Sequence, residues 1–456
     1  MSAKTTTIYT CAKCDAQSQK WSGRCLSCGA WGTLGEETLN RQEVEKRGTA
    51  ATAPAEIIRL DQIKNDNYEK RIKTGISEVD RVFGGGIVPG SLILLSGEPG
   101  IGKSTILAQI ANAIALNSDS GEVFYASGEE SASQVKARLA RLSCDFAKIG
   151  FISETNVEKI VAAAKKHKPK LLIIDSIQTM YSSEAISEAG GVNQIRVSTV
   201  KFLELAKIDG ISIILIGHIT KDGSVAGPKS LEHMVDTVIY LESDANKDYR
   251  MLRSTKNRFG SVNELGVFEM TGAGFVEIKN PSAIFMHEGN ELISGSAVCC
   301  VMDGTRPFLV EVQALVTKTL FGYPQRKVSG FDLNRLQVLT AVLTKRGGLN
   351  LTTQDVILNI VGGMKITDPV LDLSVCAAII SALLNQKIDH KTIFLGEVGL
   401  GGEVRNVGKL KERLAEAAKL GYTRAIVPNV DVKAGKMELI KVKNLSEVVN
   451  RIMHAA

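Results

Sequence analysis

From Thr74 onward, short apolar runs alternate with helix-length amphipathic segments. Leu92–Ser96, Val123–Ala126, Leu171–Ile174, Ile211–Gly217 and Val238–Leu241 read as buried strands. Between them, residues 103–116, 131–141, 156–167 and 194–208 carry apolar positions at helical spacing. Strand, helix and strand in repetition predict an α/β fold, a parallel sheet covered by helices. After Val267 the strands follow one another closely, which predicts antiparallel additions to that sheet.

From about Pro281 a second mixed region begins. Residues 308–317 read as strand and 332–346 and 369–386 as helices; then come strand Phe394–Val398, helix Lys409–Leu420 and strand Arg424–Val427. The first 40 residues differ: they hold four Cys, both Trp and several Gly, with no helical or strand periodicity of useful length. A polar stretch with Thr-Ala-Ala-Thr-Ala-Pro in its middle follows and reads as a linker with room for one short helix. The expected divisions are 1–39, a linker 40–71, 72–285 and 286–456. No tandem repeat at a solenoid period is present.

Composition adds bounds to this picture. A chain of 456 residues predicts about three folding units, and 44% apolar with 23% charged residues fits a soluble globular protein. Unbroken apolar stretches are a few residues long, whereas a membrane span needs about 20, so no membrane association is expected. The N-terminus lacks the apolar core of a signal peptide. Lys and Arg exceed Asp and Glu by 55 to 49, a net +6 that permits a polyanionic partner without requiring one. Eight cysteines could form disulfides, but four lie in one short window; without an export signal, a reducing cytoplasm is expected.

Those four, Cys11-x2-Cys14 and Cys25-x2-Cys28, make two knuckles, each able to present two thiolates to one ion. Two knuckles complete a tetrahedral shell with no open position, so a structural Zn²⁺ is expected. An iron–sulfur cluster and four unrelated thiols are the alternatives. Gly23 and Gly29 are expected to supply the backbone freedom of the turns.

The strongest chemical signal is Gly97-Glu98-Pro99-Gly100-Ile101-Gly102-Lys103-Ser104, followed by Thr105. It matches the phosphate-binding loop in full and lies between a predicted strand and a predicted helix. Its backbone N–H groups would cradle phosphates, Lys103 would bridge the β- and γ-phosphates of ATP, and the Ser104 hydroxyl would ligate Mg²⁺. Asp175 ends an apolar strand some 70 residues later, where it could hold Mg²⁺ through water. A carboxylate must also orient and deprotonate the attacking water. Glu129 is the first candidate and Glu130 the second, both at the end of the strand Val123–Ala126.

With these elements the chain resembles a known family. Thr74-Gly75-Ile76 ahead of Gly84-Gly85-Gly86, the phosphate loop, Ser127-Gly128-Glu129-Glu130-Ser131 and Lys256-Asn257-Arg258-Phe259-Gly260 together resemble the bacterial RadA (Sms) family of DNA repair proteins. The four-Cys segment and the stretch Gly396–Pro428 match it too, so the resemblance covers essentially the whole chain. It implies a RecA-like P-loop ATPase core with an N-terminal zinc finger. It also implies a DNA-dependent motor acting on single-stranded and branched DNA during branch migration, in concert with the RecA recombinase. A hexameric ring is the implied assembly.

Met251–Thr255 reads as strand, and residues at i and i+2 project to one face, so Lys256 and Arg258 would stand side by side. In ring ATPases such a pair can reach the neighbouring subunit's γ-phosphate and stabilise the charge of the transition state. His218 would stand where RecA-like proteins place a polar sensor. The loop after it, with Lys221 and Lys229, suits a DNA strand in a central channel; the segment 182–196, with Arg196, is a second candidate.

Residues 286–456 resemble the α+β proteolytic domain of Lon proteases, with Lys411 at or near the catalytic lysine. The serine does not carry over: where that family has Gly-Pro-Ser-Ala-Gly, this chain reads Asp368-Pro369-Val370-Leu371-Asp372, and Ser374 lies on the helix face. A dyad without its serine cannot form an acyl-enzyme, which predicts a scaffold rather than a peptidase. Lys318, Arg326, Lys327, Arg335, Lys345 and Arg346, against one acid, Asp332, fit a surface for DNA phosphates. An ATP-dependent peptidase and a KaiC-type signalling ATPase are the rival readings.

Overall fold

The computed structural model describes residues 5–11, 17–18, 20–26, 29–40, 70–117, 122–185, 188–218, 231–243, 249–262, 264–278, 292–320, 322–362 and 365–453. Of 41–69 it describes 59 and 61, and of 279–291 it describes 280, 282 and 286. The expected linker therefore falls largely outside the described residues, as do Cys14, Cys28, Lys221 and Lys229. The chain forms two compact units, 1–75 with 85–238, and 76–84 with 239–456.

The first unit begins with a small sheet the hydrophobic pattern does not announce. Strand β1 (Thr5–Cys11) pairs with β2 (Gln17–Ser18) and, along its whole length, with β3 (Leu34–Asn40). β1 reads Thr-Thr-Thr-Ile-Tyr-Thr-Cys. Its β-branched and aromatic residues favour the extended chain, but threonine hides the apolar alternation that marks a strand. Among the described residues of 5–40 whose burial is defined, Cys11 and Cys25 alone are buried, while Trp21 and Trp31 stand exposed.

Helix α1 (Ser77–Val82) belongs to the second unit. The first unit continues with β4 (Leu92–Gly97), α2 (Lys103–Asn117), β5 (Val123–Ser127), α3 (Ala132–Arg141), β6 (Ile149–Ile152), α4 (Val157–His167), β7 (Leu171–Asp175), α5 (Val192–Asp209) and β8 (Ser212–His218). The strands lie in the order β4-β8-β7-β5-β6, all parallel. β4, β5 and β7 are buried at every position, as expected of parallel strands covered on both faces. Helix ends follow local chemistry. Ser131 and Gln134 form a capping box at the start of α3, the Asn156 side chain accepts from Lys159 N to start α4, and Gly210 at φ +70° ends α5. Every helix and strand expected between residues 92 and 218 is present, most of them within a residue or two of the expected bounds; β6 is the addition.

β9 (Thr237–Ser243), which enters the second unit at Ile239, leads to β10 (Tyr249–Asn257), β11 (Leu265–Thr271) and β12 (Gly274–Glu277), the last three antiparallel. The antiparallel strands expected after Val267 begin earlier, since β10 ends at Asn257 and β11 starts at Leu265. There follow β13 (Ser296–Asp303), β14 (Arg306–Lys318), β15 (Arg326–Ser329), α6 (Leu333–Arg346), β16 (Gln354–Ile360), α7 (Leu371–Leu384), β17 (Thr392–Phe394), β18 (Glu397–Val398), β19 (Val404–Arg405), α8 (Leu410–Lys419), β20 (Arg424–Pro428), β21 (Glu438–Val442) and α9 (Leu445–Met453). Seven of these strands make a mixed sheet in the order β15-β16-β14-β13-β17-β20-β21.

Helix α7 is buried at every position from Leu371 to Ser381, so it runs through the core of this region. The strand expected over Phe394–Val398 is interrupted. Leu395 N and Gly396 N donate to Ile426 O and Val370 O, and a Cβ on Gly396 would come within 2.8 Å of Val404. Glu78 on α1 and Arg306 form a buried ion pair, and the Glu78 carboxylate also accepts from Val267 N at 2.9 Å. Among the described residues no helix is long and apolar enough to cross a membrane.

Candidate nucleotide site

Four parallel strands of the first unit end at the same edge, and each delivers a polar group there. β4 runs into the loop Gly97–Ser104, β5 into Ser127–Glu130, β7 ends in Asp175, and β8 ends in His218. The carboxyl ends of parallel strands are where open α/β sheets bind ligands.

In the loop, Gly100 at φ +76° takes a conformation that other residues avoid. The Lys103 side chain is almost fully buried, and its Nζ donates to Gly97 O and Glu98 O, both at 2.9 Å. Burial pulls the Lys103 ammonium below the ordinary lysine value, while the Asp175 and Glu129 carboxylates act in the opposite sense. Ser104 and Thr105 follow on the first turn of α2.

Glu129 sits in a built environment. The Ser127 Oγ accepts from Glu129 N at 3.2 Å and from Glu130 N at 3.0 Å, and Gly128 N donates to Asp175 O at 3.1 Å. A Cβ on Gly128 would lie 2.5 Å from Thr179 Oγ1, so only glycine lets this turn pack so closely. Glu129 Oε1 accepts a hydrogen bond from Ser176 Oγ and lies 3.2 Å from His218 Nε2. The bond to His218, then that from Ser176 and the charge of Lys103, hold the Glu129 carboxyl below the usual range, against the effect of burial. Glu130 is engaged elsewhere, in an ion pair with Arg138 at 2.5 Å. A cavity of about 330 Å³ is lined by both glutamates and by Ser153–Thr155.

Asp175 is buried at the end of β7 and joined to Ser176 by a cis peptide bond. Its Oδ2 accepts from the Tyr125 hydroxyl, which receives a bond from Arg138 at 3.3 Å. Burial and the nearby Asp175 push the Tyr125 hydroxyl well above its ordinary value, so it stays protonated and donates. Asp175 Oδ1 is buried with no protein partner. A buried carboxylate oxygen with no protein partner suits a divalent cation, and Ser104 and Asp175 are the groups that could hold one.

Tyr125, Arg138 and Ser176 are site residues that the sequence reading did not single out. Tyr125 is hidden inside an apolar strand and reads as core, and Arg138 looks like an ordinary charge on an amphipathic helix. Ser176 had a signal: it directly follows the strand-ending acid.

The remaining expectations fare unevenly. β10 ends at Asn257, whose side chain accepts from Phe259 N at 2.9 Å and turns the chain. Lys256 is thus in the strand and half-buried, whereas Arg258 is exposed in the turn, so strand alternation does not set the two side by side. Gly260 packs against Gly84, which lies with it in the second unit. Arg196 is exposed on α5. Of the basic residues in the C-terminal region, Arg326 donates to the backbone carbonyls of Gln325, Leu351 and Gln354, and Arg335 binds Asp372 and Val398 O. Their guanidinium groups are used internally, which leaves Lys318, Lys327, Lys345 and Arg346 exposed.

Ser374 is fully buried and donates to Leu371 O, and Lys411 is exposed on α8. The inward-facing cation of that helix is Arg413, paired with Asp368 at 2.7 Å. In the four-Cys module, Cys25 N donates to Ala30 O and Gly29 N to Cys25 O, a knuckle turn with Gly29 at φ +74°. Gly23 has no such conformation; Gly32, at φ +66°, supplies the second left-handed position. Two buried thiols in a module with no other buried residue among those whose burial is defined fit a metal centre as the source of its cohesion.

Comparison with known proteins gives three family matches. A family profile described as an AAA domain matches residues 62–224, one described as subunit ChlI of Mg-chelatase matches 313–431, and one described as a rubredoxin metal binding domain matches 9–36. The DNA repair protein RadA of Bacillus subtilis (strain 168) is 43% identical over 453 residues, 98% of each chain. The protein of that name from Streptococcus pyogenes serotype M1 is 43% identical over 455 residues, 99% of each chain. That from Listeria monocytogenes serovar 1/2a is 43% identical over 426 residues, 93% of each.

Proposed function

The chain belongs to the RadA family of DNA repair proteins, and on that premise we propose that it is a ring-forming, DNA-dependent ATPase that drives branch migration of recombination intermediates alongside the RecA recombinase. The observation that carries the ATPase part is the convergence of Lys103, Glu129, Asp175 and His218 on one sheet edge. ATP lies with its phosphates on Gly97–Thr105, with Lys103 leaving its carbonyl partners for the β- and γ-oxygens. Ser104 and Asp175 would hold Mg²⁺, which would supply positive charge to the phosphates. Glu129, kept ionised by His218 and Ser176, orients the attacking water and accepts its proton. His218 bonds that carboxylate and immediately precedes residues 219–230, so a shift of Glu129 toward the γ-phosphate reaches the DNA-facing loop directly. Lys221 and Lys229 in that loop, with Arg196, contact the DNA backbone. Cys11, Cys14, Cys25 and Cys28 would hold Zn²⁺, whose binding would supply the folding free energy of the N-terminal module.

Lys256 and Arg258 complete the site of the neighbouring subunit in a hexameric ring, Arg258 from the turn and Lys256 from the strand end. The C-terminal domain is a scaffold without peptidase activity: Ser374 is buried in a bond to its own helix, and Asp368 occupies Arg413.

ATP turnover with and without single-stranded DNA tests the reading; stimulation by DNA is expected, and DNA-independent turnover sinks it. The trans assignment has its own test. Lys256→Ala or Arg258→Ala should lower turnover on the order of 10³-fold with nucleotide affinity nearly unchanged. Mixing either with Lys103→Ala should restore partial activity, because some interfaces then combine an intact loop with an intact cation pair. Mixtures as inactive as their parents, in rings that still form, would rule it out.

A further inference from the structure

The second unit contains a cavity of about 550 Å³ that the ATPase reading does not use. Four cations line it, Arg253, Lys365, Lys409 and Arg413, against two carboxylates, Asp303 and Asp368. Each carboxylate is already matched. Asp303 takes both terminal nitrogens of Arg253, at 2.5 and 2.7 Å. Asp368 takes Arg413 at 2.7 Å, and its remaining capacity goes to Met302 N at 2.9 Å and Val370 N at 3.2 Å.

Lys365 and Lys409 are the surplus. Among the described residues neither makes an ion pair, and the Lys409 Nζ bonds only a backbone carbonyl, Gly304 O, at 3.1 Å. Lys409 also holds an unusual backbone conformation, φ +54° and ψ +37°, immediately before α8. A non-glycine residue there carries strain that its surroundings must sustain. Val301, Met302, Phe308 and Ile366 make the other wall apolar. The volume falls within the range of small-molecule sites.

We propose that this cavity binds a phosphate-bearing small molecule of mononucleotide size, its phosphoryl group between Lys365 and Lys409 and its organic part against the apolar wall. Two unneutralised ammonium groups match a phosphate dianion in charge, while the guanidinium–carboxylate pairs fix the cavity's shape and add no net charge. Lysine binds phosphate as a point charge and tolerates different approach angles, which suits a monoester.

The test uses the full chain with its phosphate loop saturated by Mg²⁺–ADP, titrated calorimetrically with adenosine 5′-monophosphate. One further site per chain is expected, displaced by millimolar inorganic phosphate and absent for adenosine. Lys365→Ala and Lys409→Gly should each weaken binding at least tenfold. Lys409→Gly is the discriminating variant, because glycine adopts this backbone without strain. The variant should therefore unfold at the same or a higher temperature, and its lost affinity reports the ammonium alone. Undiminished affinity in the double variant overturns the proposal, as does binding of adenosine equal to that of the monophosphate. It is also overturned if the monophosphate fails to bind while the double variant loses affinity for single-stranded DNA, since the lysines then serve a polynucleotide surface.

Discussion

Asp175 and Asp372 are both buried acids next to the end of a strand or the start of a helix, and both lie in α/β layers of similar make. Asp372 has every oxygen occupied: Arg335 binds it with two nitrogens and Val398 N donates at 3.1 Å. Asp175 has one oxygen bound by Tyr125 and the other bound by nothing. A buried carboxylate is costly unless matched. One that the protein matches fully is part of its architecture, whereas one left half-matched marks where something else is to be bound. Glu129 is also left partly open, with Ser176 and His218 on one oxygen and a cavity beside it.

The largest effect that would test this contrast is on chemistry. Glu129→Gln should reduce ATP turnover about 10²–10⁴-fold with little change in nucleotide affinity, measured by steady-state rates and equilibrium binding. Asp372→Ala should do the reverse. It strands Arg335 and Val398 N, costing about 3 kcal/mol, the low end for a broken buried pair because Arg335 keeps partial access to water. Denaturant unfolding should show that loss while turnover per folded molecule is unchanged. Asp175→Asn should cut turnover about 10–100-fold, relieved in part by raised Mg²⁺, with stability held or improved. If Asp175→Asn instead unfolds the protein as Asp372→Ala does, the distinction between matched and half-matched acids fails.

The smallest effect is a pH shift. Glu129's carboxyl is held below the ordinary value, so as a base it is active above that lowered pKa, and its rate limb lies on the acid side of the usual carboxylate range. His218→Ala removes the largest cause of the depression. The limb should move to higher pH, with a less than tenfold change in rate at pH 7. In stability, Glu129 contributes above its unfolded pKa and loses that contribution as pH falls through the folded one. An unmoved limb in His218→Ala would mean that the contact does not tune the carboxylate.

Much of the nucleotide site is legible in the sequence because its parts are local. A loop of eight residues between a strand and a helix, and an acid at the end of an apolar strand, carry their chemistry in their own order. What escaped is non-local: Tyr125, Arg138 and Asp175 come together only when β5, β7 and α3 pack, 13 to 50 residues apart in the chain. Likewise Arg326 and Arg335 read as surface charge until their carbonyl and carboxylate partners are placed. Arg258 escaped for a local reason: one Asx turn at Asn257 ended the strand a residue before the alternation could reach it. The β1–β3 sheet escaped because threonine favours the extended chain without declaring an apolar face.

Helix α7 has a consequence for how the chain is made. Sealed at every position from Leu371 to Ser381, it packs against β13 and β14, made before it, and against β17 and α9, made after it. On a ribosome adding about 5–20 residues per second, the roughly 60 residues between α7 and α9 take about 3–12 s to appear. Until that interval ends, the most apolar helix of the second unit lacks the cover of α9. Newly made chains at this stage present a sticky segment to one another and to chaperones, so slowing synthesis over residues 385–444 should increase aggregation before it alters the finished protein.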